Sequence, residues 1–281
     1  MSLDITGVRD DGYHLVNTVM QRIDLFDDIT VNFEERQQNT LDIVLTTNKP
    51  YLPTNEKNIA YKAALLMGEL TEKKGVVTID IYKRIPVAAG LAGGSGNGAA
   101  VLIALNTLFG LNMSIKKLCS LSSKLGADVP FMVLTQATKY TCALGENLGD
   151  KLTTLKKGLK KYIVLSKPSF GVSTKDAYMG MDSIEIKSHP DSDALIKCLE
   201  NRDYNKLYSL MGNVLELYTL EHYPDVGNLK DIMSKMDNVE FTLMSGSGPT
   251  VFSVYSTLSA AKDACFKLRN MGYEAYWAKA K

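Results

Sequence analysis

The segment Pro86-Val87-Ala88-Ala89-Gly90-Leu91-Ala92-Gly93-Gly94-Ser95-Gly96-Asn97-Gly98 constrains the fold more than any other stretch of the chain. It follows the strand-like run Val76-Val77-Thr78-Ile79-Asp80-Ile81 and leads into the apolar stretch Ala99-Ala100-Val101-Leu102-Ile103-Ala104-Leu105. The first run reads as a strand and the second as a buried helix, so the glycines form a strand-to-helix turn. Lacking a Cβ, glycine reaches positive φ and brings backbone N–H groups close to an anion, and the positive end of the following helix adds to the attraction. The turn is therefore either a phosphate cradle or a tight connection. Other phosphate signatures are absent: there is no Gly-Lys dipeptide for G-x-x-x-x-G-K-[ST], the spacing does not give G-x-G-x-x-G, and neither H-R-D nor D-F-G occurs.

Around this turn the pattern is mixed. Val31-Asn32-Phe33 and Leu41-Asp42-Ile43-Val44-Leu45 alternate as strands within a strand-like region from Ser2 to Leu45. Asn58 to Glu69 reads as a helix with Ile59, Ala63, Leu66 and Leu70 on one face, and Gly75 breaks that pattern. Gly110 can cap the helix after the glycine turn, Ser114 can N-cap the next one, and Gly126 ends it ahead of Asp128-Val129-Pro130. Charge density rises over Lys157 to Lys161, and beyond Tyr162-Ile163-Val164-Leu165 the texture becomes helices with short strands. The domain boundary is expected there, giving residues 1–156 and 157–281. The end of the chain reads strand (Phe241 to Met244), glycine turn, strand (Val251 to Tyr255), helix (Leu258 to Asn270) and strand (Tyr273 to Ala278).

A chain of 281 residues is long enough for two domains. With 32 basic against 31 acidic residues, no long-range field selects a nucleic acid or an acidic membrane, and any phosphate must be bound locally. Cys119, Cys142, Cys198 and Cys265 are dispersed without a C-x-x-C pair, which fits small buried hydrophobes in a reduced compartment. No apolar run approaches the roughly 20 residues that span a bilayer, and the start lacks a signal-peptide pattern, so a cytoplasmic location is expected.

Pro86 through Gly98 resembles the P-x-x-x-G-L-x-x-S-type phosphate loop of the GHMP kinases. Three further segments are similar to motifs of the family branch that acts on a cytidylyl substrate. They are Gly7-Val8-Arg9-Asp10-Asp11-Gly12-Tyr13-His14, Leu125-Gly126-Ala127-Asp128-Val129-Pro130-Phe131 and Met244-Ser245-Gly246-Ser247-Gly248-Pro249-Thr250. Lys167-Pro168-Ser169-Phe170-Gly171-Val172-Ser173-Thr174 matches a fifth element more weakly.

The resemblance implies two α+β domains with the active site between them, a ribosomal-protein-S5-like N-terminal one and a ferredoxin-like C-terminal one. It implies transfer of the γ-phosphoryl group of ATP, with Mg2+, to the 2-hydroxyl of 4-diphosphocytidyl-2-C-methyl-D-erythritol in the non-mevalonate isoprenoid route. The expected partner is thus a small molecule carrying cytidine diphosphate, with no nucleic acid and no membrane; oligomeric state is not legible.

By the same resemblance Asp128 is the catalytic base and contacts the substrate alcohol; on residue type alone it reads first as an aspartate capping a turn before proline. ATP is expected on Pro86, Ala88, Ala89, Gly90, Leu91, Ala92, Gly93, Gly94, Ser95, Gly96 and Asn97, with Lys83 and Asn58 near the adenosine; those two also read as solvated surface groups. The hydroxyl of Ser95 and the amide of Asn97 suit a phosphate oxygen or the magnesium ion. Tyr13 and His14 follow the turn dipeptide Asp11-Gly12 and are expected to bind cytosine by stacking and edge contacts, with Tyr178 as a second stacking face. The plainer reading makes Tyr13 a half-buried strand-end aromatic and His14 a surface residue. Gly246 and Ser247 are expected to close on the phosphate loop and substrate, or else to form only a hairpin. No metal-ligand cluster is expected, and His189 and His222 read as ordinary residues.

The chain departs from the family in three places. Members begin with a strand carrying Ala-Lys-Ile-Asn-Leu before the segment seen here as Ser2-Leu3-Asp4-Ile5-Thr6-Gly7, and that strand is expected to be missing; Gly96 stands where serine is common and Gly98 where alanine is usual. Two other readings stay open: a mevalonate- or homoserine-type kinase of the same family, against which Gly12-Tyr13-His14 speaks, and a catalytically impaired nucleotide-binding relative.

Overall fold

The computed structural model describes all 281 residues. The chain opens with strands β1 (Ser2–Val8) and β2 (His14–Gln21), joined by a turn through Gly12 and paired antiparallel. Next come β3 (Asp28–Glu35), β4 (Leu41–Thr47), helix α1 (Ile59–Thr71), β5 (Gly75–Tyr82), α2 (Gly93–Leu108), α3 (Ile115–Ser122) and α4 (Val129–Ala137). The remainder runs β6 (Cys142–Glu146), β7 (Lys151–Thr154), β8 (Tyr162–Lys167), α5 (Thr174–Met181), α6 (Ser192–Asn201), α7 (Tyr204–Leu210), β9 (Gly212–Asn213), α8 (Glu216–His222), α9 (Pro224–Ser234), β10 (Phe241–Met244), β11 (Val251–Tyr255), α10 (Leu258–Asn270) and β12 (Glu274–Lys279). No helix is long and apolar enough to cross a membrane.

These elements form two compact units, each α+β. One contains residues 26–87 and 92–140, the other residues 1–25, 88–91 and 141–281. The units do not follow the contiguous division at 156/157, for a reason visible in the hydrogen-bond ladders. β1 and β2 belong to a five-stranded sheet in the order β7-β6-β2-β1-β9, so the first 25 residues are tied to strands that come after Thr141. β6 and β7 are short strands with little alternation, which is why the sequence pattern passed over them.

In the unit of residues 26–87 and 92–140, a three-stranded sheet in the order β3-β5-β4 pairs β3 antiparallel and β4 parallel to β5. Alternation along β5 sends Val77, Ile79 and Ile81 into a core shared with Met67 of α1, Val101, Leu102 and Leu105 of α2 and Val129 and Val133 of α4. The face that α1 buries is Ala60, Ala63, Ala64 and Met67, rather than the expected stripe through Leu66 and Leu70; Leu70 is exposed. Alanines permit a close approach, and where α1 begins Ile59 lies against Gly94 and Gly98 of α2.

In the other unit a second sheet, antiparallel throughout, has the order β10-β11-β8-β12. It separates two cores: Val164, Val251 and Tyr255 pack with Leu229 and Met233 of α9 and Leu268 of α10, while Ile163, Leu165 and Val254 pack with Leu195, Leu199 and Leu207. The strand–turn–strand–helix–strand order at the end of the chain is as the sequence pattern indicates. All four cysteines are free thiols.

Candidate active site

Within residues 26–87 and 92–140 the site begins at α2. Ala92 takes a left-handed conformation at the N-cap position, makes no side-chain cap bond, and starts the helix at Gly93, six residues before the expected apolar stretch. The first helical bond is Gly96 N–H to Ala92 C=O at 2.8 Å, so the N–H groups of Gly93, Gly94 and Ser95 have no partner in the chain. An uncapped start of a 16-residue helix offers unpaired donors and the positive dipole end together, which suits an anion.

The side chains beneath this turn are already engaged. Lys83 is buried with its side chain 4% exposed, and its Nζ is paired with Asp27, whose side chain is 1% exposed. Asn97 completes the cluster: its Nδ2 donates to Asp27 at 2.8 Å and its Oδ1 accepts from Lys83 at 3.3 Å. The other oxygen of Asp27 accepts the N–H groups of Arg84 (2.7 Å) and Ile85 (2.9 Å). Lys83 and Asn97 therefore brace the strand-to-helix connection from below; the solvated-surface reading of Lys83 does not hold, and the Asn97 amide expected at a phosphate oxygen or magnesium is engaged with Asp27 and Lys83. Asn58 N-caps α1, accepting from Ala60 N–H at 3.0 Å and donating to Pro53 C=O at 2.8 Å. Ser95 has no side-chain hydrogen bond to the protein, and Pro86 lies between β5 and the turn.

Asp128 sits at the start of α4, and Pro130 follows within the first turn, where its missing N–H costs nothing. Its side chain makes no cap bond and no ion pair, so the turn-capping reading does not apply. Although the residue keeps exposed surface, desolvation by the surrounding protein raises the carboxyl above its ordinary value. α4 lies against α2: Gln136 Nε2 donates to Gly96 C=O at 3.0 Å, and a Cβ on Gly96 would lie 3.3 Å from Met132 Cε. Met132 N–H bonds back to Asp128 C=O at 3.2 Å, which places the carboxylate one turn before the contact with the glycine helix.

The remaining predicted residues belong to the other unit. Ala88 and Gly90 both have positive φ, and Ala89 is buried. A Cβ on Gly90 would meet Ser245 C=O at 2.4 Å, so only glycine fits there. The Ser245–Thr250 turn joins β10 to β11 as a hairpin and also grips this segment, with Ser245 Oγ donating to Gly90 C=O at 2.9 Å and Gly246 alongside. Ser247 is buried and shares a hydrogen bond of 3.0 Å with Thr174 at the start of α5. Leu91 packs on the core containing Leu165.

Tyr13 and His14 exchange the environments that the plainer sequence reading gave them. Tyr13 is 62% exposed, while the His14 side chain is only 7% exposed. The His14 ring lies 5.3 Å from that of Tyr178, centroid to centroid, and its Nε2 is 2.8 Å from Asp182 Oδ1. Sequence reasoning missed Asp27 and Asp182 because each meets its partner from a distant part of the chain, where no local spacing signals it. His189 pairs with Asp4 and His222 stacks on Tyr218; no cluster of three His, Cys, Asp or Glu side chains is placed to hold a metal.

Residues 58–136 match the GHMP kinases N terminal domain, and residues 195–274 match the GHMP kinases C terminal domain. A relative from Clostridium perfringens (strain ATCC 13124) is 41% identical over 94% of this chain and 88% of its own length. The chain belongs to the GHMP kinases. It is accordingly an ATP-dependent small-molecule kinase. That relative is named 4-diphosphocytidyl-2-C-methyl-D-erythritol kinase, as is one from Caldicellulosiruptor saccharolyticus that is 40% identical over 96% of this chain and 89% of its own. A crystal structure of 4-(cytidine 5'-diphospho)-2C-methyl-D-erythritol kinase matches this GHMP kinase with a TM-score of 0.80 and 28% identity, covering 99% of this chain and 94% of the other.

Proposed function

We propose that the chain transfers the γ-phosphoryl group of ATP to the 2-hydroxyl of 4-diphosphocytidyl-2-C-methyl-D-erythritol. The relatives named for that activity support the reading, and the observation that carries it in this chain is Asp128. Phosphoryl transfer proceeds through a loose transition state, so the protein's task is alignment and charge stabilisation rather than covalent chemistry. A carboxylate with no protein partner and a raised pKa is suited to accept the alcohol's proton as the bond to phosphorus forms. The free N–H groups of Gly93, Gly94 and Ser95 receive phosphate oxygens, and the Gly90 segment keeps its backbone shape because Ser245 and Gly246 grip it. Tyr13 presents an open aromatic face to a pyrimidine, and His14, held by Tyr178 and Asp182, lines the same element.

Mg2+ fits as an ion carried by the nucleotide: most of its oxygen ligands come from phosphates and water, and the Ser95 hydroxyl is the protein oxygen left unpaired at the helix start. Bound there, it would supply positive charge against the nucleotide's phosphates. A coupled ADP-release assay tests the reading. Turnover with the cytidylyl alcohol, and little with mevalonate or homoserine, is the expected result. ATP binding without turnover of any of the three would overturn it.

A further inference from the structure

We propose that Asn213 is a positioning residue for the nucleotide: acting through the turn of residues 245–250, its side-chain amide sets the backbone of Ala88 to Gly90, the approach to the phosphate-binding helix start. This rests on the reading of the glycine turn as a phosphate cradle. Gly90 comes two residues before Ala92, the N-cap of α2, so its backbone dihedrals act directly on the entry to the helix. Ala88 and Gly90 have φ of 50° and 65°. A non-glycine residue keeps such a conformation only where its surroundings enforce it. Gly171 crowds Ala88, since a Cβ there would come within 2.9 Å of the alanine methyl. Gly90 is held by the turn: Ser245 Oγ donates to Gly90 C=O at 2.9 Å, and a Cβ on Gly246 would lie 3.3 Å from the same oxygen.

The turn is itself held by one short segment, residues 213–219. Asn213 Nδ2 donates to Met244 C=O at 3.0 Å and to Gly246 C=O at 2.8 Å, while Oδ1 accepts from Leu215 N–H at 3.1 Å. Carbonyls only accept and an N–H only donates, so this orientation of the amide is the one that satisfies all three. Glu216 Oε1 accepts from Met244 N–H at 2.9 Å and its Oε2 from Lys230 at 2.6 Å, and Thr219 Oγ1 donates to Ser247 C=O at 3.3 Å. The anchor is firm: Asn213 is buried in β9, paired with Leu3 of β1, and Val214 N–H donates to Leu3 C=O at 3.0 Å. β10 is an edge strand, and covering its outer edge would by itself account for the bonds to Met244. It does not account for Gly246, which lies beyond the strand, has φ of 56° and is in contact with Gly90. Asn213 thus ties the strand end to the glycine that touches Gly90.

The test measures ATP affinity by titration calorimetry, well below every thermal midpoint and with no second substrate, for wild type, Asn213→Asp, Ser245→Ala, their double variant and Gly94→Asp. Asn213→Asp keeps the Leu215 contact and sets oxygen against both carbonyls; ATP should bind about tenfold more weakly, and KM for ATP should rise to match. Ser245→Ala should weaken binding as well, and the double variant should bind no more weakly than Asn213→Asp alone, since both act through Gly90. A Cβ on Gly94 meets only Ile59 Cδ1, at 3.6 Å, so Gly94→Asp should fold, and its charge beside the free N–H groups should displace phosphate. Asn213→Ala, which removes the donor without adding charge, should repeat the loss if the carboxylate disturbs the fold. Lowered thermal midpoints with unchanged ATP affinity in both Asn213 variants, or losses that add in the double variant, make the amide an edge cover only; either overturns the proposal while the cradle reading stands. Unchanged ATP affinity in Gly94→Asp overturns the cradle and the proposal together.

Discussion

Asp128 shows how a single side chain separates activity from stability. The folded chain binds its proton more tightly than the unfolded chain does, so this carboxyl contributes stability below its unfolded pKa and withdraws it as pH rises through the folded value. Asp128→Asn should therefore lower kcat by about a hundredfold or more while the thermal midpoint at neutral pH stays level or rises. The acid limb of the wild-type kcat profile should lie above the ordinary carboxylate range. Gly98 gives a second case. Alanine there would gain about 1 kcal/mol of helix propensity, yet its Cβ would sit 2.5 Å from Ile59 Cγ2, and overpacking costs about 1–3 kcal/mol. Gly98→Ala should be destabilising in urea titration, and Ile59→Leu, which removes the branched methyl, should restore the loss in the double variant. The departure from the family at position 98 thus belongs with Ile59, a pairing invisible in sequence because the two residues lie on different helices. Gly96 differs: a Cβ there would meet only side-chain ends, Met132 Cε at 3.3 Å and Gln136 Nε2 at 3.7 Å, so serine would fit.

Among the elements, those with a clean period were legible. β5, the hairpin of β10 and β11, α10 and β12 follow directly from alternation and helical spacing, and Ser114 caps α3 as its type suggests, accepting from Lys117 N–H. α4 was not legible: Gly126-Ala127-Asp128-Val129-Pro130 reads as a loop and no element was expected beyond it, although proline in a first turn is compatible with a helix. Nor was the bracing of β5 against α2, which depends on Asp27 meeting Lys83 from 56 positions away. Removing one partner of so buried a pair strands a charge. Lys83→Met and Asp27→Ala should each cost about 3–5 kcal/mol by chemical denaturation, whereas Asp27→Asn combined with Lys83→Met should recover much of the loss.

For the molecule as a whole, sequence texture located a change near Lys157 but not the return of the first 25 residues to the later part of the chain. Pairing partners of β1 and β2 are set by ladders, which leave no compositional trace. Fragments 1–156 and 157–281, expressed separately, should each lack cooperative melting by circular dichroism: the second loses Ile5 from the core around Val164, and the first loses β9 and the Gln21 contact to Leu159 N–H. Mixing the two should restore a transition if the ladders reform. The same discontinuity bears on synthesis. As the polypeptide leaves the ribosome, residues 26–140 can close their own core once Tyr140 has emerged, apart from the four-residue detour at 88–91. The opening hairpin, whose Val19 belongs to the core around Ile163 and Leu165, must wait uncovered for β6 and then β9. Nascent chains of this enzyme therefore pass through a stage with an unprotected strand edge, when chaperone binding competes with aggregation.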